Sequence, residues 1–119
     1  MMEHKIVKKG WGRELWVVNK PEYCGKLLRF EKGKKCSFHF HKLKDETFFC
    51  HSGKIKVLYG YDEDISKAEE IILNPGDSFY VPPGLIHQMI AMEDTDLFEF
   101  STEHFESDSY RVSPGDSQA

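Results

Sequence analysis

Residues that commonly bind metals occur at close spacing, namely His39, His41 and Glu46, with His87 farther along the chain. His39 and His41 are two residues apart, so on a β-strand both imidazoles point to the same face. Glu46 follows across a short loop, and His87 follows the turn Pro82-Pro83-Gly84. Imidazoles and a carboxylate that converge inside a barrel suit a divalent transition metal with open coordination positions.

The histidine pair alone also has a structural interpretation. Phe38 and Phe40 alternate with His39 and His41, so histidines facing solvent would leave the phenylalanines in the core. The pair supports both interpretations equally. The longer spacing pattern favours the metal site.

Glycines, a proline and the four candidate ligands recur at fixed intervals: Gly33-x5-His39-x-His41-x4-Glu46-x6-Gly53 and Gly76-x5-Pro82-x-Gly84-x2-His87-x3-Ala91. This pattern resembles the two signature motifs of the cupin superfamily, except that Ala91 stands where Asn is usual. The resemblance implies a double-stranded β-helix (jelly-roll) barrel of six to eight strands. It also implies a metal site made of His39, His41, Glu46 and His87, holding Zn, Mn, Fe, Ni or Co.

The chain between these motifs has the pattern of short strands joined by tight turns. Strands are predicted at Lys26–Phe30, Ser37–His41, Thr47–Cys50, Lys54–Tyr59, Ser78–Val81, His87–Ala91 and Leu97–Ser101. Only 65–73 has spacing compatible with a helix, and it suits a strand equally well. The predicted fold class is therefore all-β.

Length and composition predict one domain over residues 1–119, with a barrel at about 10–105 and a polar tail, loose at its end, at about 107–119. The start of the chain is polar and basic, and no apolar run is long enough to span a membrane, so a cytoplasmic protein is expected. The three cysteines, Cys24, Cys36 and Cys50, lack a C-x-x-C pair and are predicted to be reduced.

Charge is unevenly distributed along the sequence. Residues 1–60 hold 14 of the 16 Lys and Arg residues but only six of the 20 acidic ones. The formal net charge of −4 argues against a duplex nucleic acid partner. A basic first half would still suit a small anion, unless strands from both halves interleave and remove the asymmetry.

A second similarity concerns activity. Gly10-Trp11-Gly12-Arg13-Glu14, the ligand block 39–48, Phe98-Glu99-Phe100 and the acidic, Arg-ended segment 106–111 resemble the cupin part of type II phosphomannose isomerases. This resemblance implies a sugar or sugar-phosphate isomerase that acts through an enediolate. Lys44 and Arg111 are then the candidate catalytic residues that contact the substrate anion, with Arg29 or Lys26 as further candidates.

Two other functions remain open from the sequence. A ligand set of three His and one Glu also suits an Fe(II)-dependent cupin dioxygenase, whose pocket would be lined by Phe48, Phe79 and Phe98. The alternative without catalysis is a sugar-binding or regulatory cupin.

Residues outside the motifs supply two further expectations. A homodimer is expected to pair apolar outer faces that include Phe38, Phe40, Phe49 and Tyr80. His4, His51 and His104 match neither motif, and the strand parity of His51 predicts that it lies outside the barrel.

Overall fold

Each of the seven strands predicted from the sequence is present, and residues 4–116 contain four more. The structure is a computed structural model that describes residues 4–116. The strands are β1 Lys5–Lys9, β2 Gly12–Lys20, β3 Tyr23–Phe30, β4 Phe38–Phe40, β5 Glu46–Ser52, β6 Ile55–Gly60, β7 Glu69–Leu73, β8 Ser78–Val81, β9 Ile86–Ala91, β10 Thr95–Ser101 and β11 Tyr110–Ser113. Short 3-10 helices lie at Ile65–Lys67 and Glu106–Asp108. The all-β prediction is confirmed, although six to eight strands was too few.

Two antiparallel sheets form the barrel, one in the order β1-β2-β3-β10-β5-β8 and the other in the order β11-β4-β9-β6-β7. Neighbouring strands are often distant in sequence, as expected of a jelly roll. Both sheets combine strands from the basic first half and the acidic second half of the chain. The two halves of the sequence therefore interleave in space. This confirms the alternative in which interleaved strands remove the charge asymmetry along the chain.

Side chains alternate between the interior and the outer surface along the strands. In β5, Glu46, Phe48 and Cys50 are buried, and in β10, Leu97 and Glu99 are buried while Phe100 is exposed. The apolar core contains Trp11, Leu28, Phe30, Phe48, Val57, Leu73, Val81, Met89 and Leu97, among others. The candidate ligands belong to the inward-facing residues of their strands and therefore lie inside the barrel.

Gly53 shows why one motif glycine is required. It has φ 91°, in the left-handed region that favours glycine. A Cβ at this position would collide with the carbonyl oxygen of Asp94 and with Thr95. The turn that joins β5 to β6 therefore needs a residue without a side chain.

The segment predicted as a polar tail is part of the fold. Strand β11 pairs with β4, and the preceding Asp108 is 3% exposed. Its carboxylate accepts hydrogen bonds from the backbone N–H groups of Lys42, Leu43 and Lys44 at 2.9–3.2 Å. The sheets therefore extend beyond the predicted limits of 10–105. The expected loose end at 117–119 lies outside the described residues, and the assignment of 1–119 to one domain stays a prediction.

The expected set of outer aromatic residues needs correction. Phe38 is fully buried, although it alternates along β4 with the inward-facing His39. Phe40 is half-buried and stacks on Tyr110 of β11 at 5.2 Å between ring centroids. Phe49 is half-buried and Tyr80 is exposed, as expected of outward-facing residues.

The ambiguous segment 65–73 forms a 3-10 turn followed by strand β7. The three cysteines are buried and free, as predicted. Among residues 4–116 there is no helix long and apolar enough to cross a membrane, and the cytoplasmic location stays a prediction.

Replacement of Asp108 with Ala tests the role of the C-terminal segment. The substitution removes the acceptor of the backbone N–H groups of Lys42, Leu43 and Lys44, the last of which is buried, so the free energy of unfolding should fall by about 2–4 kcal/mol. Urea unfolding measures this change. Asp62→Ala removes a carboxylate whose hydrogen bond lies in an exposed loop, and should cost no more than about 0.5 kcal/mol. Equal effects of the two variants would contradict the proposed anchoring role.

Candidate metal centre

Three histidines converge from two neighbouring strands of one sheet. His39 lies in β4 and pairs directly with His87 of β9, while His41 follows β4 immediately. Each imidazole offers one nitrogen, and these three nitrogens lie within 4.8 Å of one another. The rings of His39 and His87 are 4.5 Å apart between centroids. The alternative in which the histidine pair faces solvent is therefore wrong.

Backbone carbonyl oxygens fix the orientation of all three rings. The Nδ1–H groups of His39, His41 and His87 donate to the carbonyl oxygens of Ser37, Asp108 and Leu85, at 2.8, 2.9 and 3.1 Å respectively. Because a carbonyl oxygen only accepts, the proton of each neutral ring lies on Nδ1. The lone pair of each Nε2 is free to bind a metal, in the arrangement typical of metal-ligating histidines.

Burial keeps these imidazoles neutral. It lowers the pKa of His39, His41 and His87 to about 3, and nearby positive charge, including that of Lys44, contributes to the shift. A histidine must be neutral to bind a metal. The three rings therefore need no deprotonation at neutral pH before metal binding.

Glu46 brings a carboxylate to this cluster from the opposite sheet. Its Oε2 lies 3.5 Å from His41 Nε2 and 3.6 Å from His87 Nε2. This buried oxygen has no hydrogen-bond partner among the described residues. Burial, together with the charge of Glu99, raises the pKa of Glu46 to about 8. An unpartnered carboxylate oxygen beside three free imidazole lone pairs fits a divalent transition metal.

Lys44 is buried beside this carboxylate, and its contacts differ from those expected of an anion-binding lysine. Its ammonium lies 3.5 Å from Glu46 Oε1, 3.0 Å from Glu99 Oε2 and 2.9 Å from His104 Nδ1. Although burial opposes ionisation, Glu99 and Glu46 raise the pKa of Lys44. Burial likewise opposes ionisation of Glu99, but Lys44 and Lys26 lower the pKa of Glu99 to about 2. Three acceptors thus surround the three N–H groups of Lys44.

The cluster opens into a cavity of about 130 Å³. Its charged and polar lining consists of Lys9, Glu14, Lys26, Ser37, His39, His41, Lys44, Glu46, His87, Glu99, His104, Glu106, Ser109 and Arg111, and its apolar lining includes Trp11, Leu28, Phe30, Phe48 and Met89. The lining therefore combines charged and apolar side chains. Such a lining suits a small polar ligand.

The other predicted site residues occupy different positions. Arg111 is exposed and lines the cavity, while Lys26 is buried and also lines it. Arg29 instead pairs with Asp96 at 3.2 Å and does not line this cavity, so its predicted contact with the substrate is wrong. Arg29 of β3 pairs in register with Asp96 of β10. Since the neighbouring Leu97 points inward, Asp96 and Arg29 point outward.

Of the aromatic residues predicted to line a dioxygenase pocket, only Phe48 faces this cavity. Phe79 packs against Tyr59 at 5.0 Å between ring centroids. Phe98 lies on the outer surface, where it contacts Phe100 and the exposed His51. The placement of His51 outside the barrel is confirmed, whereas Phe98 as a pocket residue is wrong, because residues 97 and 99 take the inward positions of β10.

Three residues to which the sequence analysis gave no role lie at or beside the cavity: Glu14, Trp16 and His104. Trp16 Nε1–H donates to Glu14 Oε1 at 2.8 Å, and the edge of its ring meets His104 at 5.2 Å between centroids. The two-residue spacing of Glu14 and Trp16 is a usable signal that they share a strand face. His104 has no such signal, since it follows β10 in a loop.

The fold and the inward donor set define a cupin-type barrel with a candidate metal centre. Residues 26–103 match the family model for the cupin domain, and the chain belongs to this family.

Two relatives share sequence with the chain. D-lyxose/D-mannose isomerase of Thermosediminibacter oceani is 28% identical, over 82% of this chain and 66% of the isomerase. Quercetin 2,3-dioxygenase of Bacillus subtilis is 34% identical over 56 residues, which are 47% of this chain and 14% of the dioxygenase. The chain thus spans less than two thirds of the length of these curated relatives.

Solved structures show the same fold at low identity. The capsular polysaccharide assembling protein CapF of Staphylococcus aureus matches with a TM-score of 0.81 and 17% identity, over 95% of this chain and 35% of CapF. KdgF from Halomonas sp. matches with a TM-score of 0.73 and 20% identity, over 89% of this chain and 90% of KdgF. Bacillus subtilis oxalate decarboxylase matches with a TM-score of 0.73 and 19% identity, over 92% of this chain and 30% of the decarboxylase. These similarities establish the fold alone.

Metal addition should stabilise the protein, because the folded state gathers the donor atoms that the unfolded chain disperses. At a free metal concentration about 100-fold above Kd, the gain in unfolding free energy should be about 2.7 kcal/mol. Thermal unfolding after treatment with a chelator and reloading with Zn²⁺, Mn²⁺, Ni²⁺ or Co²⁺ measures it, and elemental analysis of the untagged protein identifies the native metal.

The matched controls for this experiment are two histidine variants. His39→Ala should abolish the metal-dependent shift, whereas His51→Ala, at an exposed position outside the barrel, should retain it. If no metal co-purifies and none of the four ions stabilises the wild-type protein, the candidate centre does not bind metal.

Proposed function

We propose that this protein is a metal-dependent aldose–ketose isomerase that acts on a sugar or sugar phosphate, with His39, His41, Glu46 and His87 as the metal ligands. The observation that carries the proposal is the unpartnered Glu46 oxygen beside three free imidazole lone pairs at a cavity lined by charged residues. The sugar isomerase relative supports the substrate class.

In such a site, different groups of the protein would orient the metal ligands and shape the cavity. When bound, a divalent metal supplies the Lewis acidity that polarises a sugar carbonyl. The carbonyls of Ser37, Asp108 and Leu85 hold the three imidazoles in place, and Lys44 holds Glu46 through Oε1. Trp11, Phe30 and Met89 give the cavity an apolar surface that would disfavour water beside a bound ligand.

Arg111 is the candidate for binding a phosphate or another anionic group of the substrate. It pairs in register with His39 across β11 and β4, so both side chains lie on the same side of the sheet. The planar guanidinium presents two parallel N–H donors that match phosphate geometry. Lys44 has three acceptors around it already, so within this proposal it acts on the substrate by positioning Glu46 and His104.

An Fe(II)-dependent dioxygenase is the second candidate. The same ligand set suits non-haem iron, and the relative from Bacillus subtilis is named a dioxygenase. The apolar lining of Trp11, Leu28 and Phe48 favours it, whereas the charged lining favours a sugar. A non-catalytic sugar-binding or regulatory cupin would use the same cavity without turnover.

Incubation of the metal-loaded protein with aldoses in deuterated water tests the isomerase. D-mannose, D-lyxose and mannose 6-phosphate are the substrates, and NMR follows deuterium at C1 and C2 together with ketose formation. Arg111→Lys should raise KM for mannose 6-phosphate by about 10-fold, since it removes the bidentate contact, and should leave KM for mannose nearly unchanged.

The controls separate the candidate functions. Chelator-treated protein should show no exchange. Oxygen uptake by the Fe(II)-loaded protein with flavonoid substrates, in the absence of any sugar exchange, would establish the dioxygenase instead. Saturable sugar binding without exchange or oxygen uptake would establish the non-catalytic module.

We also propose that the protein is a homodimer that pairs the outer face of the six-stranded sheet. Ile6, Leu15, Leu27, Phe98 and Phe49 form one apolar row in register across β1, β2, β3, β10 and β5. Phe100 and Tyr80 extend this face and are 57% and 55% exposed. A second copy packed on this row would remove it from water.

Light scattering at micromolar concentration should give twice the chain mass of 13.9 kDa. Phe100→Glu places a charge on the proposed interface and should yield monomers, because a buried, unpaired carboxylate opposes association. Tyr61→Glu alters a residue that is 71% exposed beyond the end of β6, in the other sheet, and should remain dimeric. A wild-type monomer would contradict the proposal.

A further inference from the structure

Trp16 organises a group of polar side chains beside the cavity, separate from the candidate metal ligands. Its Nε1–H donates to Glu14 Oε1 at 2.8 Å, and its ring edge contacts His104 at 5.2 Å between centroids. The ammonium groups of Lys26 and Lys5 lie over the ring, 4.0 and 4.3 Å from its centroid. One indole therefore positions two groups capable of proton chemistry, both of which line the cavity.

Among the carboxylates that line the cavity, Glu14 is the one that is held in place by a hydrogen bond and still has an oxygen available to a ligand. Glu46 is directed at the histidines, and Glu99 is buried with its Oε2 accepting from Lys44 and Ser101. The side chain of Glu106 is 78% exposed, so little fixes its direction. A carboxylate that removes a proton from carbon has to be held in place and open to the ligand.

Glu14 satisfies both requirements. Its Oε1 is held by Trp16 and lies 3.7 Å from the ammonium of Lys26. No hydrogen-bond partner of its Oε2 is found among residues 4–116, and the side chain is 16% exposed. One oxygen thus anchors the carboxylate, and the other is free to meet a ligand.

His104 is held as firmly and presents a donor. Asn19 accepts from its backbone N–H at 2.8 Å and donates to its carbonyl oxygen at 3.1 Å. Its Nδ1 accepts from Lys44 at 2.9 Å, so the ring proton lies on Nε2. Glu106 Oε1 lies 3.6 Å from Nε2, beyond hydrogen-bond distance.

We propose that Glu14 is the base that moves the substrate proton, and that His104 donates a hydrogen bond from Nε2 to a substrate oxygen. This inference rests on the isomerase proposed above, which leaves the proton-transferring group unassigned. Trp16 is then a positioning residue, since it acts through Glu14 and His104.

The proposed step conserves protons and electrons. The carboxylate of Glu14 takes the proton from C2 of the open-chain aldose, and the C2–H electron pair forms the C1–C2 double bond. The carbonyl π pair moves onto O1, which accepts the hydrogen bond from His104. Glu14 then returns the proton to C1 while the hydroxyl proton of O2 passes to O1, so that the ketose forms without a net gain or loss of protons.

Glu14→Gln tests this role, because the amide keeps the shape of the side chain and an oxygen that accepts from Trp16. It should lower kcat by about 10²–10⁴-fold, the usual contribution of a general base, and should abolish deuterium incorporation at C1 and C2. KM, metal content and binding of a non-reacting polyol such as mannitol should stay close to wild type. Glu22→Gln, on the exposed turn between β2 and β3, is the matched control and should behave as wild type.

The outcomes separate this inference from the isomerase proposal. A wild-type protein without exchange on any of the aldoses overturns the proposed function, and the assignment of Glu14 with it. An active wild type together with an active Glu14→Gln variant overturns only the assignment of Glu14. If Glu14→Gln does not fold, Trp16→Phe serves instead: it frees the carboxylate without removing it and should lower kcat by about 10-fold at unchanged metal content, and an unchanged kcat overturns the proposal.

His104→Phe tests the donor separately. It removes Nε2–H while keeping an aromatic ring beside Trp16, and should weaken mannitol binding and lower kcat/KM by about 10-fold, as expected for the loss of one hydrogen bond. Wild-type values for both measurements would show that His104 does not contact the substrate.

Discussion

The burial of the Glu46 carboxylate is the constraint on which the site depends. An ionised carboxylate inside a barrel costs several kcal/mol unless charges or hydrogen bonds compensate it. Lys44 compensates through Oε1 alone, at 3.5 Å, while Oε2 faces His41 and His87 without a partner among the described residues. A bound cation would complete the compensation. The position of Glu46 at the start of β5 therefore makes structural sense together with a metal.

Backbone groups from distant parts of the chain hold the site in shape. Asp108 uses its carboxylate to bind the N–H groups of the 42–44 loop and its carbonyl oxygen to accept from His41. The same residue thus fixes the loop that carries Lys44 and orients one imidazole. Because β11 follows Asp108 and pairs with β4, the C-terminal segment supports the centre from the side of the strand that bears His39.

The sequence predicts the parts of this site that depend on local periodicity, and much less of the parts that depend on distant pairing. The spacing of His39 and His41 and the alternation along β5 are local properties of extended chain. The inward face of β10 is not predicted, since Leu97 and Glu99 rather than Phe98 are buried. The placements of Asp108 and His104 are not predicted either, since they follow from strand pairing and from a loop held by Asn19. The burial of Phe38 is likewise absent from the local pattern, which gives it the same outward parity as the half-buried Phe40.

The position of the functional groups along the chain explains why the family assignment leaves the reaction open. The four candidate ligands lie within residues 26–103, the part that matches the cupin domain. Glu14, His104 and Arg111 line the same cavity but lie outside that range. A shared barrel can therefore keep its centre while the segments before and after it change the groups that meet the ligand. Because neutral imidazoles are common to many chemistries, we expect β2 and the segment that follows β10 to contribute to the choice of ligand in this cavity.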